Sequence, residues 1–188
     1  GIQNIIVADS EDMSESDHSD ATSVNDLNEV QLIEALMTLQ TGKDMSGFDL
    51  DGAPDFSIGC TLTPFADDKG RDASLLAAQE KVKAGASYII TPPIFDVAGS
   101  TDLLSRINEL GVPVIATVFL LKSLAIAQYI SNSDPGSGIS NDLIRRIRKS
   151  SSREQEGIKI AGETILALKE KTQGVLIQTL GWEHKLPE

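Results

Sequence analysis

Thr91-Pro92-Pro93-Ile94-Phe95-Asp96 leaves the end of an apolar run, Tyr88-Ile89-Ile90. Residues at the carboxyl end of a buried strand stand where α/β sheets and β/α barrels bind ligands. Site chemistry is therefore expected there first. Four other groups invite a chemical reading. The run Asp9 to Asp20 alternates carboxylates with serines, as a metal loop would. It has no glycine for the sharp turn of a calcium loop, so it reads as a solvated segment with His18 exposed. Cys60 lies in an apolar run and reads as a small buried hydrophobe rather than a reactive thiol. Arg145, Arg146, Arg148 and Lys149 form a basic run, most simply a solvated face. Trp182 and His184 follow the last apolar run, where a ring and a donor could meet a ligand; packing and exposure is the plainer reading.

The elements that position these residues come from apolar spacing. Ile2 to Ala8 and Phe56 to Leu62 read as buried strands, as do Tyr88-Ile89-Ile90, Val112 to Val118 and Val175 to Gln178. Runs without alternation indicate strands covered on both faces, as in parallel sheets. Between them lie amphipathic stretches. Asp26 with Glu29 resembles a capping box opening a helix that carries Val30, Ile33, Leu36 and Met37. Further helices are expected over 72–84, 101–110 and 123–130, from Ser140, and over 153–169. The segment Thr41 to Pro54 is a long Gly- and Asp-rich loop, either functional or covering one end of the sheet. Strands alternating with helices predict a parallel sheet with right-handed crossovers. Five such units can close as a sandwich or form part of an eight-unit barrel.

The bulk composition narrows the function class. At 188 residues the chain can bury one domain's core. A net charge of −12 argues against nucleic acid, which needs clustered Lys and Arg. The single cysteine excludes an internal disulfide and fits a reducing, cytoplasmic setting. No apolar run is long enough to span a membrane. The chain starts at Gly1 and enters a core strand at once, so residues before Gly1 are expected to be missing.

An ordered series of segments carries a family resemblance. It runs from Gly1 to Ala8, through Gly42-Lys43-Asp44 with Gly47, to Leu50 to Phe56 and Lys81 to Asp96. Asp134-Pro135-Gly136 and Glu156 to Ala161 complete it. The series resembles the methylenetetrahydrofolate reductase family, most closely the form fused to homocysteine methyltransferase and its stand-alone relatives. The resemblance implies a (β/α)8 TIM barrel of which about five parallel strands are present, the first three being absent. It implies a flavin, FAD or FMN, with NAD(P)H as a possible donor, and a folate-type substrate.

Carried over residue by residue, the resemblance places Asp9, Ser10, Thr63, Lys81, Ala84, Gly85 and Ala86 near the cofactor and Glu11 in a catalytic position. It places Pro92, Phe95 and Leu124 near the substrate. Two departures stand out. Ser10 precedes Glu11 where the family has glycine before aspartate. Pro92 stands where the family has a pterin-contacting glutamine, and its side chain neither donates nor accepts. Departures at the ligand rim with a matching framework open a second reading: an altered or inactive homologue acting as a structural or regulatory subunit. A half barrel leaves strand edges open, so a homo-oligomer or a partner subunit is expected. Neither a nucleic-acid nor a membrane partner is expected.

Overall fold

The computed structural model describes residues 1–8, 24 and 26–185. Asp9, Ser10, Glu11 and His18 lie outside the described residues. Five strands alternate with helices: β1 Asn4–Val7, α1 Glu29–Gln40, β2 Ser57–Thr61, α2 Asp68–Ala84, β3 Tyr88–Pro93, α3 Thr101–Asn108, β4 Val114–Phe119, then α4 Leu124–Ser133, α5 Asn141–Lys149, α6 Arg153–Leu168 and β5 Gly174–Gln178. The strands pair in sequence order and all in parallel, forming a half-barrel. Each crossover is long enough to carry its helix back to the amino end of the sheet, which is what parallel pairing demands.

The start signals sit slightly away from where the sequence suggests. The first helix begins at Glu29 rather than Asp26. Its cap is Asn28, whose Oδ1 accepts from the Gln31 amide at 2.9 Å while Gln31 Oε1 accepts from the Asn28 amide at 3.0 Å. A capping box is present, built on Asn and Gln rather than Asp and Glu. Helix α2 begins at Asp68 rather than Asp72, because Asp67 Oδ1 accepts from the Gly70 amide at 2.7 Å. Strand β3 runs on through Pro92 and Pro93, and its register against β4 shifts between Ile90 and Pro93. Prolines lack the ladder N–H, so the pairing has to skip there.

Two hydrophobic clusters hold the fold. In the larger, Val7, Ile58, Cys60, Ile89, Val114, Ala116 and Val118 of the strands meet Ile33, Leu75, Ala78, Leu104, Ile107, Ala161 and Leu168 of the helices. The smaller lies at the carboxyl end, where Leu121, Ala127, Ile139, Ile147 and Ile160 gather Phe95, Phe119 and Leu124. The helices after β4 thus pack partly against the sheet and partly against each other above its rim. On the concave face, register aligns Ile6, Gly59 and Tyr88 in one row and Thr61, Ile90, Ile115 and Gly174 in the next. Gly59 has a steric reason: a Cβ there would run into the Tyr88 ring. Among the described residues, no helix is long and apolar enough to cross a membrane.

Candidate functional site

The carboxyl rim brings several of the expected residues together and leaves others apart. Thr63 follows β2, and its carbonyl accepts from Ser74 Oγ at 2.6 Å, tying the loop to α2. Pro92 closes β3. Phe95 is half-buried, its ring centroid 6.2 Å from that of Phe119. Leu124 opens α4 behind the cap Ser123, whose Oγ accepts from the Ile126 amide at 3.2 Å, and packs into the rim cluster. Thr63, Pro92, Phe95 and Leu124 therefore share one end of the sheet.

Ala84, Gly85 and Ala86 lie at the other end. They close α2 and lead into β3, so they sit at the amino side of the sheet. Gly85 caps the helix at φ 126°, a left-handed conformation that favours glycine, and a Cβ there would stand 2.5 Å from Met37 Cγ. The Ala86 amide donates to the Lys81 carbonyl at 3.0 Å. This turn fixes where β3 begins and stands away from the rim.

Lys81 connects the two ends. It belongs to the last turn of α2, yet helical side chains lean toward the helix N-terminus, here toward the rim. Its Nζ donates to Glu29 Oε1 at 2.7 Å and to the Thr61 carbonyl at 3.0 Å, at the carboxyl end of β2. The side chain is 2% exposed, against 23% for that of Glu29. A buried cation needs a paired, hydrogen-bonded setting, and Lys81 has one. The ion pair lies beside Cys60, whose thiol burial pushes up to about 11; Lys81 acts against that and Glu29 with it. Cys60 is fully buried and unreactive at neutral pH.

On the opposite flank of α2 the rim opens into a cavity of about 310 Å³. Three segments build it: residues 64–71 leading into α2, 91–103 from the end of β3 into α3, and 130–138 from the last turn of α4 onward. The last folds across by a glycine contact. A Cβ on Gly136 would stand 2.5 Å from the Phe65 carbonyl oxygen and 2.8 Å from Ala66 Cα. Asp134 Oδ1 accepts from the Gly136 amide at 2.9 Å, and Asp96 Oδ1 from the Gly99 amide at 3.0 Å, each shaping its loop. Arg71 lines the cavity from the first turns of α2. Its terminal nitrogen lies 3.2 Å from Asp68, but its Nε is buried and, among the described residues, has no hydrogen-bond partner.

The end of β5 completes the rim. Thr179 Oγ1 donates to the Glu183 carboxylate, as does the Gly181 amide at 3.1 Å. The Thr179 hydrogen bond is the main reason that carboxyl is held below its usual range. Lys122 Nζ lies 5.7 Å from the centre of the Trp182 ring, a cation–π distance. Trp182 packs against the main core and His184 is exposed, as the plainer sequence reading had it. The basic run also resolves. Arg146 reaches both Glu163 and Glu156 on α6 and Arg145 reaches Asp142, so these two charges are spent on structure.

Sequence reasoning missed Arg71 and the way residues 134–138 close on it. A signal was available: a cation early in a helix opposes the macrodipole, which favours anions at that end. The closing contact is long-range and leaves no periodicity to read. Among the described residues no His, Cys, Asp and Glu cluster could hold a metal ion. A family model described as methylenetetrahydrofolate reductase matches residues 1–187. No curated protein matches the chain.

Proposed function

Because the chain belongs to the methylenetetrahydrofolate reductase family, we propose that it serves flavin-dependent hydride transfer to the methylene carbon of a folate-type carrier. The observation that carries this reading is the family match over nearly the whole chain, on a half-barrel whose expected ligand residues Thr63, Pro92, Phe95 and Leu124 gather at one rim. We further propose that the chain is the C-terminal part of a β/α barrel, and that it is related to the form fused to homocysteine methyltransferase.

The residues fit a flavin in part. Thr63 and the Lys81 ammonium stand at rim level, where a hydroxyl and a cation would hold a cofactor's polar groups. Ala84 to Ala86 act at one remove, by fixing the start of β3 and the anchor of Lys81. Through the resemblance Asp9 and Ser10 are assigned to the cofactor and Glu11 to the carboxylate role. A bound flavin would supply the redox step, drawing electrons from a donor such as NAD(P)H, and the protein would orient it. Phe95 and Leu124 would offer apolar surface to a pterin ring. Pro92 would contribute shape and no hydrogen bond.

Two observations favour an altered homologue as the second reading. Pro92 removes a recognition group, and Lys81 is already neutralised by Glu29. In that reading the chain is a structural or regulatory subunit, paired with a copy of itself or with another protein. Cytoplasmic location is proposed with either.

The deciding experiment is an absorption spectrum of purified protein titrated with FAD and FMN, followed by anaerobic reduction with NAD(P)H and addition of a methylene-carrying folate. Flavin bands and folate-dependent reoxidation are the expected result. A protein that stays colourless at saturating flavin gives up the enzyme reading for the second. Pro92→Gln is expected to strengthen pterin binding by about tenfold, the worth of one buried hydrogen bond.

A further inference from the structure

The cavity beside Arg71 shares Pro92 and Phe95 with the proposed pterin face, but it also holds charged groups that neither reading uses. Its walls are mostly apolar, with Phe65, Leu103 and Ile130 among them. One guanidinium and two carboxylates, Asp96 and Asp134, also line it. Among the described residues, neither carboxylate is ion-paired, and each is hydrogen-bonded through Oδ1 to its own loop. Arg71 is the more enclosed of the three, its side chain 27% exposed, while both aspartates are exposed. Its Nε has no partner among the described residues, and an unsatisfied buried donor is costly unless an acceptor reaches it.

These features define a ligand by its complement. One cation against two anions disfavours a simple anion. An apolar lining disfavours a strongly hydrated cation. The volume is at the small end of ligand pockets. A molecule with one carboxylate, one ammonium group and a short apolar body satisfies each feature. We propose that this cavity is a binding site for a small α-amino acid with an apolar side chain. The carboxylate meets Arg71, the ammonium group meets Asp96 and Asp134 at the mouth, and the side chain lies against Phe65, Leu103 and Ile130. The loop carrying Asp134 packs closely on the loop carrying Phe65 at Gly136, so two walls of the cavity meet there. This inference needs no flavin and stands or falls apart from the reductase reading.

The test is isothermal titration calorimetry on the full chain with L-leucine, isocaproate, isoamylamine and inorganic phosphate as probes. Leucine is expected to bind. Isoamylamine, without the carboxylate, is expected to bind at least about tenfold more weakly, and isocaproate, without the ammonium group, several-fold more weakly. Arg71→Met is expected to abolish leucine binding. Arg71→Lys keeps the charge but loses the Nε–H, and is expected to weaken binding about tenfold. Should Arg71→Met fail to fold, Arg71→Lys decides the point alone. Three results would overturn the proposal: no heat with leucine up to about 10 mM, the weak end of specific binding; isocaproate or phosphate binding as tightly as leucine; or full leucine affinity in a folded Arg71→Lys protein.

Discussion

The two flanks of α2 each bear a cation, and the two cations are treated differently. On the flank facing α1, Lys81 is enclosed and fully answered by Glu29 and the Thr61 carbonyl. On the flank facing the cavity, Arg71 is partly enclosed, shares one end with exposed Asp68, and leaves Nε unanswered among the described residues. The same fold therefore contains one enclosed charge paired with a largely enclosed carboxylate and one whose only ion-pair partner among the described residues is the exposed Asp68. A satisfied buried charge belongs to the architecture, and an unsatisfied buried donor calls for an acceptor from water, ion or ligand.

The largest expected effect breaks the first half of that comparison. Lys81→Met strands Glu29 and leaves the Thr61 carbonyl without its donor. Removing one member of a buried pair costs 3–5 kcal/mol at full burial, and the partial exposure of Glu29 lowers the expectation to about 3 kcal/mol. Urea unfolding monitored by circular dichroism measures it. The double variant Glu29→Leu with Lys81→Met is expected to recover most of the loss, since an apolar pair suits the site. If Lys81 also holds a flavin, the double variant regains stability and no flavin absorbance.

Next in size is the pH dependence of Cys60, which shares the Lys81 flank. Burial raises its folded-state pKa to about 11, above the unfolded value near 9. A group whose pKa folding raises contributes stability that is fully present below the unfolded pKa. That stability is lost as the pH climbs through the folded one. Unfolding free energy is expected to fall by about 2 kcal/mol between pH 9 and pH 11, from a shift worth about 1.4 kcal/mol per unit. Cys60→Ala should flatten that part of the profile. A wild-type profile that is already flat there would mean the thiol is less enclosed than its surroundings indicate.

Gly136→Ala tests the cavity flank. Its Cβ has to displace the Phe65 carbonyl or the Ala66 backbone, and neither is the free end of a side chain. Overpacking of this kind costs about 1–3 kcal/mol. The expected stability loss is at the low end, about 1 kcal/mol, because the loop is at the surface and can swing outward. Leucine binding should be lost with it. Stability unchanged and binding intact would show that the two loops do not need to touch.

What the sequence could disclose follows from how far apart the interacting residues lie. The strands, the helices between them and the rim position of residues 91–96 come from local periodicity, and all are present, whereas the barrel is implied only by the resemblance. The cap of α1 was misread by two residues, because Asn28 with Gln31 closes the box that Asp26 with Glu29 imitates. Lys81 is placed near the cofactor by the resemblance alone; its burial depends on Glu29 and Thr61, both distant in the chain. The Ala84 to Ala86 turn is grouped with the cofactor through the resemblance, while its chain order, from the end of α2 into β3, puts it at the amino end. The cavity needs three segments at once, and no window of sequence contains them.

The smallest expected effect sharpens the comparison most. Arg71→Met removes an exposed ion pair with Asp68, worth a few tenths of a kcal/mol. It also removes a buried Nε–H that nothing among the described residues accepts, which by itself stabilises. The methylene stem, which covers apolar surface, is largely kept by Met. The terms nearly cancel, so stability should change by less than about 0.5 kcal/mol, in contrast to about 3 kcal/mol for the same replacement at Lys81. Thermal and urea unfolding of the two variants side by side measure the ratio. A loss above about 1 kcal/mol at Arg71 would mean that its guanidinium is held within the chain by more than Asp68, and the two flanks would then differ in degree only. A neutral Arg71→Met that has also lost leucine binding would separate the roles: a cation retained for a ligand on one flank, and a cation retained for the fold on the other.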